Sequence, residues 1–256
     1  WTQVMQYVGQ HMELVTGGAG FIGSHLVDAL VASGKSVRVL DNFSSGRMEF
    51  LSHHDGSGMV EVVKADLLDP EAVRQALVDV DVVHHMAANP DIRLGTTVTD
   101  TDLKQGTVAT YNVLEAMRLE DVGQISFSSS SAVYGEADVM PTPETYGPIK
   151  PISLYGASKL ASEALITAWC GTFGAKSWVH RFANIVGPRG THGVIYDFIH
   201  KLKADQGRLE VLGNGRQEKS YMSAHDCVQA MVHLVDNTSA DVNLYNLGTG
   251  DTCSVR

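Results

Sequence analysis

From residue 12 onward, short apolar runs alternate with longer stretches whose apolar residues recur every three or four positions. The short runs, near 12–16, 36–40, 59–64, 81–86, 124–128, 177–182 and 242–246, predict β-strands. The run at 81–86 is nearly all apolar apart from His84 and His85, as a parallel strand covered on both faces should be. Glu13 breaks that rule in the first run. Helical period marks 21–33, where Ile22, Leu26, Ala29 and Leu30 share a face, and then 71–78, 102–118, 154–173, 194–202 and 224–235. Gly34 follows the first helix as a C-cap glycine, and Pro70 stands at the first turn of the second. Such alternation predicts an α/β fold, a doubly wound parallel sheet with helices on both faces. Pro141, Pro143, Pro148 and Pro151 make 136–153 an irregular surface loop. Past residue 188 the alternation loosens, with one further short strand expected at 209–212.

Composition narrows the class. The chain has 256 residues, 44% of them hydrophobic, enough for one large α/β domain or a domain with a smaller lobe. A net charge of −10 with no basic cluster argues against nucleic acid and anionic membranes as partners. Cys170, Cys227 and Cys253 are far apart and odd in number, which points to a reducing, cytoplasmic setting. No apolar run is long enough to span a membrane. Residues 1–11 precede Met12 and are not read as part of the fold.

The candidate chemistry begins where the first strand meets the first helix, at Thr16-Gly17-Gly18-Ala19-Gly20-Phe21-Ile22-Gly23. Glycines at this spacing permit a tight turn, close approach of a pyrophosphate to bare backbone, and close packing of helix on strand. The helix N-terminus then offers free N–H groups and a positive dipole end to the phosphates. Asp41 ends the second strand about 20 residues on, where a carboxylate accepts both adenosine ribose hydroxyls and repels a 2′-phosphate. That favours NAD over NADP. After the third strand, Asp66 and Leu67 lie within reach of the adenine, and after the fourth, Ala87 and Ala88 leave room for a flat ring.

Tyr155 and Lys159 stand four apart on one helix and so share a face. A phenol is a poor base at neutral pH, and an ammonium on the same face together with a positively charged nicotinamide nearby is expected to stabilise its phenolate and lower its pKa. Ser130, at the end of the fifth strand, is placed to orient the hydroxyl from which Tyr155 would take a proton. The His53-His54 and His84-His85 pairs have no spacing that couples them to further ligands, so no metal is expected.

These residues, with Asp41-Asn42-Phe43-Ser44-Ser45-Gly46-Arg47, Val133-Tyr134-Gly135 and Arg181-Phe182-Ala183-Asn184, resemble the extended short-chain dehydrogenase/reductases, specifically the NAD-dependent epimerase/dehydratase family of nucleotide-sugar enzymes. The resemblance runs from about residue 12 to 256 and is strongest to UDP-glucose 4-epimerase-like members. It implies a Rossmann domain over 12–188, rejoined by 241–247 as a further strand, and a substrate lobe over 189–256 that lacks the C-terminal segment of relatives. It implies NAD held by Gly17, Gly20, Phe21, Ile22, Asp41, Asn42, Phe43, Ser44, Ser45, Gly46, Asp66, Leu67, Met86, Ala87, Ala88, Asn89, Ser128, Tyr155, Lys159 and Ala183. A UDP-hexose would be met by Ser130, Asn184, Val194, Ile195, Val211, Leu212 and Lys219, with Arg93 and Arg189 as further phosphate candidates. Related dehydratases carry an acid pair after the catalytic hydroxyl residue; Ser131 and Ala132 stand there, which favours 4-epimerisation. A dehydratase or reductase, or a non-catalytic NAD sensor, are the competing readings. A homodimer through the helices near 102–118 and 154–173 is implied by the resemblance alone.

Overall fold

The computed structural model describes residues 11–211 and 215–254. Seven strands form one parallel sheet: β1 (Met12–Thr16), β2 (Ser36–Asp41), β3 (Val60–Lys64), β4 (Val82–His85), β5 (Gln124–Ser130), β6 (Lys176–Phe182) and, returning from the end of the chain, a strand over Val242–Leu247. Helix α1 is Phe21–Ala32, α2 Pro70–Ala76, α3 Ala109–Leu119 and α4 Leu154–Phe173. The remaining elements are β7 (Asn184–Val186), α5 (Val194–Ala204), β8 (Glu218–Lys219), β9 (Tyr221–Ser223) and α6 (Ala224–Asn237), so the returning strand is β10, followed by β11 (Cys253–Ser254). The spatial order is β10-β6-β5-β4-β1-β2-β3, a doubly wound Rossmann sheet whose order reverses between β1 and β4.

Two apolar cores cover the sheet. One packs Leu14, Val83, Ile125 and Val179 beneath α2, α3 and α4, and the other packs Val15, Val39 and Phe182 beneath α1 and α6. Local chemistry sets the helix ends. Asp69 caps α2 by accepting from the Glu71 and Ala72 N–H groups, Ser153 caps α4 by accepting from Gly156 N–H, and α4 ends at left-handed Gly174.

Several expectations shift. β5 runs on through Ser129 and Ser130, because both pair with β6 opposite Arg181 and Phe182. The helix expected over 102–118 opens with a π-helical stretch, Leu103–Val108. A Cβ on Gly106 there would lie 2.7 Å from Ser158 Oγ, so glycine lets this turn press against α4. The strand expected at 209–212 is not formed: residues 209–211 are irregular, and Leu212 lies outside the described residues. His11, set aside with the leading residues, joins the fold by pairing with Glu13 and Asp81. Glu13 itself is fully buried, and its carboxylate meets His84 Nε2 at 2.6 Å and Lys35 Nζ at 2.8 Å. Among the described residues no helix is long and apolar enough to cross a membrane.

Candidate active site

A cleft of about 860 Å³ opens at the carboxyl ends of the strands, at the reversal between β1 and β4. Gly17 lies at its floor with φ +67°, and a Cβ there would stand 2.8 Å from the Ala87 backbone. Only glycine permits that approach of the first turn to the end of β4. Gly20 opens α1 without any side-chain cap, so the first N–H groups of the helix face the cleft at Phe21 and Ile22.

Asp41 is buried at the end of β2, where its Oδ2 accepts from Ala19 N–H at 3.0 Å and its Oδ1 from Phe43 N–H at 2.8 Å. Two backbone donors thus fix the carboxylate while each oxygen keeps a lone pair for a ribose hydroxyl. Asn42, Ser44 and Ser45 line the same end of the cleft. Phe43 and Gly46 do not line it: Phe43 turns the chain at φ +59°, and Gly46 packs against the Asp41 carboxylate. Asp66 also stands back from the cleft, where it accepts from Asn42 Nδ2 at 3.0 Å and caps its own turn at Leu68 N–H. Leu67, Met86, Ala87, Ala88, Asn89 and Ala183 line the cleft as expected. A bare-backbone floor, an uncapped helix end and a pre-oriented carboxylate fit a dinucleotide.

At the other end, Ser128, Ser130, Tyr155 and Lys159 share the cleft wall. A Cβ on Gly156 would come within 2.6 Å of Ala132 O, so this glycine lets α4 start against the turn after β5 and brings Tyr155 beside Ser130. Ser130 Oγ accepts from Ala132 N–H at 3.2 Å and stands close enough to the phenol to favour its ionised form. Lys159 is 3% exposed and donates from Nζ to Ser128 O at 2.5 Å, 5.9 Å from the centre of the Tyr155 ring.

The electrostatics of the protein's own groups show what the amine contributes without a cationic ring beside it. Burial pushes the Tyr155 phenol up to about 12, with the Ser130 hydroxyl opposing and Asp102 reinforcing the rise. Burial also holds Lys159 down to about 7, although Glu163 and Asp102 favour its charge. Lys159 therefore does not by itself lower the phenol's pKa: desolvation of the phenolate wins, and an amine titrating near neutrality is only partly charged. Below the site, His85 accepts or donates between Thr16 Oγ1 at 2.8 Å and Thr110 Oγ1 at 3.0 Å, and burial holds it neutral, down at about 3.

Two residues that carry the site escape a reading by motif. Glu163, one turn beyond Lys159 on α4, binds Arg181 of β6 through two hydrogen bonds, Nε to Oε1 at 3.0 Å and Nη2 to Oε2 at 2.7 Å. It also accepts from the Ser129 hydroxyl, next to Ser130. The i, i+4 series 155, 159, 163 was the signal that could have pointed to it. Asp102 is 2% exposed; one oxygen accepts from Asn89 Nδ2 at 3.0 Å and the other is buried without a hydrogen-bond partner.

On the substrate side, Asn184, Val194, Ile195 and Lys219 line the cleft, whereas Val211 does not. Arg189 lines it too, while Arg93 lies outside it, exposed and paired with Asp91. Asp41 is the sole carboxylate among the described residues that line the cleft.

Residues 13–248 match the family model described as the NAD dependent epimerase/dehydratase family. The chain belongs to this family. It is 34% identical over 249 residues to UDP-glucose 4-epimerase of Mycolicibacterium smegmatis, covering 95% of this chain and 79% of that protein. It is also 34% identical over 244 residues to UDP-glucuronic acid decarboxylase 1 of Xenopus tropicalis, covering 91% of this chain but 56% of the relative. A solved UDP-galactose 4-epimerase superimposes with a TM-score of 0.86 at 46% identity, covering 95% of this chain and 79% of that one. NAD is the family's cofactor, and the glycine turn and Asp41 are the residues here that fit it.

Proposed function

We propose that the chain interconverts nucleotide sugars at C4, as a UDP-hexose 4-epimerase. The observation that carries this reading is the combination of Ser130, Tyr155 and Lys159 with a cleft wall that, among the described residues, bears no carboxylate besides Asp41. Elimination or decarboxylation calls for a further proton-handling group beside the sugar, and Ser131 and Ala132 occupy the adjoining wall instead. Epimerisation needs one proton relay used in both directions.

Ser130 orients the sugar's 4-hydroxyl, and the Tyr155 phenolate takes its proton. NAD held by the glycine turn and Asp41 would supply a hydride acceptor and donor beside C4, the redox partner that the proton relay of Ser130 and Tyr155 needs. In the reverse direction the Tyr155 phenol gives the same proton back to the hydroxyl of opposite configuration, so the relay ends each cycle as it began. In its protonated fraction Lys159 places positive charge beside the ring, and a cationic nicotinamide next to it would add to this in opposing the desolvation that raises the phenol. Asn184 and Lys219 would face the diphosphate, and Val194 and Ile195 the uridine. The homodimer and the division into a cofactor domain and a substrate lobe belong to the same proposal.

The deciding experiment incubates the protein with UDP-galactose, UDP-N-acetylglucosamine and their C4 epimers without added NAD. Interconversion is the expected result. A dehydrated 4-keto product would replace the reading with a dehydratase, and NAD binding without turnover would replace it with a sensor. Tyr155→Phe should abolish turnover and leave NAD binding intact; full activity in that variant would overturn the role given to Tyr155.

A further inference from the structure

Away from the cleft wall, three side chains able to ligate a metal converge from two parts of the chain. His53 and His54 end a short 3₁₀ turn, Ser52–His54, and each places Nε2 2.8 Å from the same atom, Oδ1 of Asp28 on α1. Neighbouring residues of a 3₁₀ turn ordinarily point about 120° apart. Here both imidazoles bend to one oxygen, with ring centres 4.0 Å apart. The ligand atoms all lie within 4.8 Å of one another, with His54 12% and Asp28 30% exposed. Around an ion with bonds of about 2.0–2.2 Å, adjacent ligand atoms stand about 2.9–3.5 Å apart. Opening the present contacts by a few tenths of an ångström would admit one.

We propose that Asp28, His53 and His54 form a site for a divalent transition-metal ion of the Zn²⁺ class. Two imidazoles and one carboxylate select such borderline ions over Mg²⁺ or Ca²⁺, which take oxygen ligands in larger number. The site is tied to the cleft through Arg189, whose Nη1 pairs with Asp28 Oδ2 at 2.9 Å and which also lines the cleft. A bound ion draws on the same carboxylate, so ion and guanidinium compete for Asp28, and occupancy loosens Arg189 from α1. None of this depends on which sugar chemistry the enzyme performs.

The test titrates the NAD-loaded protein with Co²⁺, followed by its visible d–d absorption, and with Zn²⁺ by calorimetry. One ion per chain should bind with a low-symmetry Co²⁺ spectrum. His53→Ala, at an exposed position where folding is not at stake, should weaken binding at least about 10-fold, and Asp28→Asn should do the same. Arg189→Leu should tighten it by removing the competing cation. A silent Co²⁺ titration of the wild type, or affinity unchanged in His53→Ala, overturns the site. Unchanged affinity in Arg189→Leu overturns its coupling to the cleft.

Discussion

Replacing Glu163 by glutamine would strand a guanidinium. Arg181 is 4% exposed, and its Nε and Nη2 each donate to a separate oxygen of Glu163. An amide keeps the shape but turns one acceptor into a donor facing Arg181 and removes the compensating charge. Breaking a buried pair from one side costs about 3–5 kcal/mol, a large part of the roughly 5–15 kcal/mol that stabilises a domain. At about 2–4 °C per kcal/mol for a chain of this size, melting should fall by about 6–20 °C. Thermal unfolding followed by circular dichroism measures it. The pair Glu163→Leu with Arg181→Met should recover much of the loss, because apolar groups of similar volume leave no orphaned charge. The site should suffer as well: Ser129 loses its carboxylate partner beside Ser130, and α4 carries Tyr155 and Lys159, so kcat should drop more than KM rises. A melting shift below about 2 °C with unchanged kcat would refute the claim that this ion pair holds the catalytic wall in place.

Two further outcomes follow from the geometry. Gly17→Ala should abolish NAD retention and cost more than about 1–2 kcal/mol, because φ is +67° and the new Cβ would stand 2.8 Å from the Ala87 backbone; NAD fluorescence after gel filtration and a melt would report both. Glu13 loses charge stability through burial but more than regains it from His84 and Lys35, leaving its pKa near 2 against an ordinary 4.5. A depressed carboxylate contributes its stability above the unfolded pKa and surrenders it as pH falls from about 4.5 toward 2, here roughly 3 kcal/mol. Glu13→Gln should flatten that acid limb in denaturation curves measured from pH 6 to pH 2, and an unaltered limb would show that other carboxylates drive acid unfolding.

The sequence alone was enough for the sheet, the glycine turn, the acid at Asp41 and the Tyr155–Lys159 pair. Each of these is a matter of short spacing: two residues per strand repeat, 3.6 per helical turn, and a turn whose glycines are dictated by backbone approach within a few positions. What only the tertiary structure decided involves partners far apart in the chain. Glu13 read as a flaw in a buried strand until Lys35 and His84 were found against it. His53 and His54 read as an isolated pair until α1 brought Asp28 within 2.8 Å of both rings. Leu103–Val108 winds as a π-helix where Gly106 packs closely on Ser158 across the interface with α4, a contact no local propensity encodes. The direction of the Tyr155 shift turned on the same distinction. Spacing put an amine near the phenol, but desolvation is the work of every surrounding segment, and it outweighs that single neighbour.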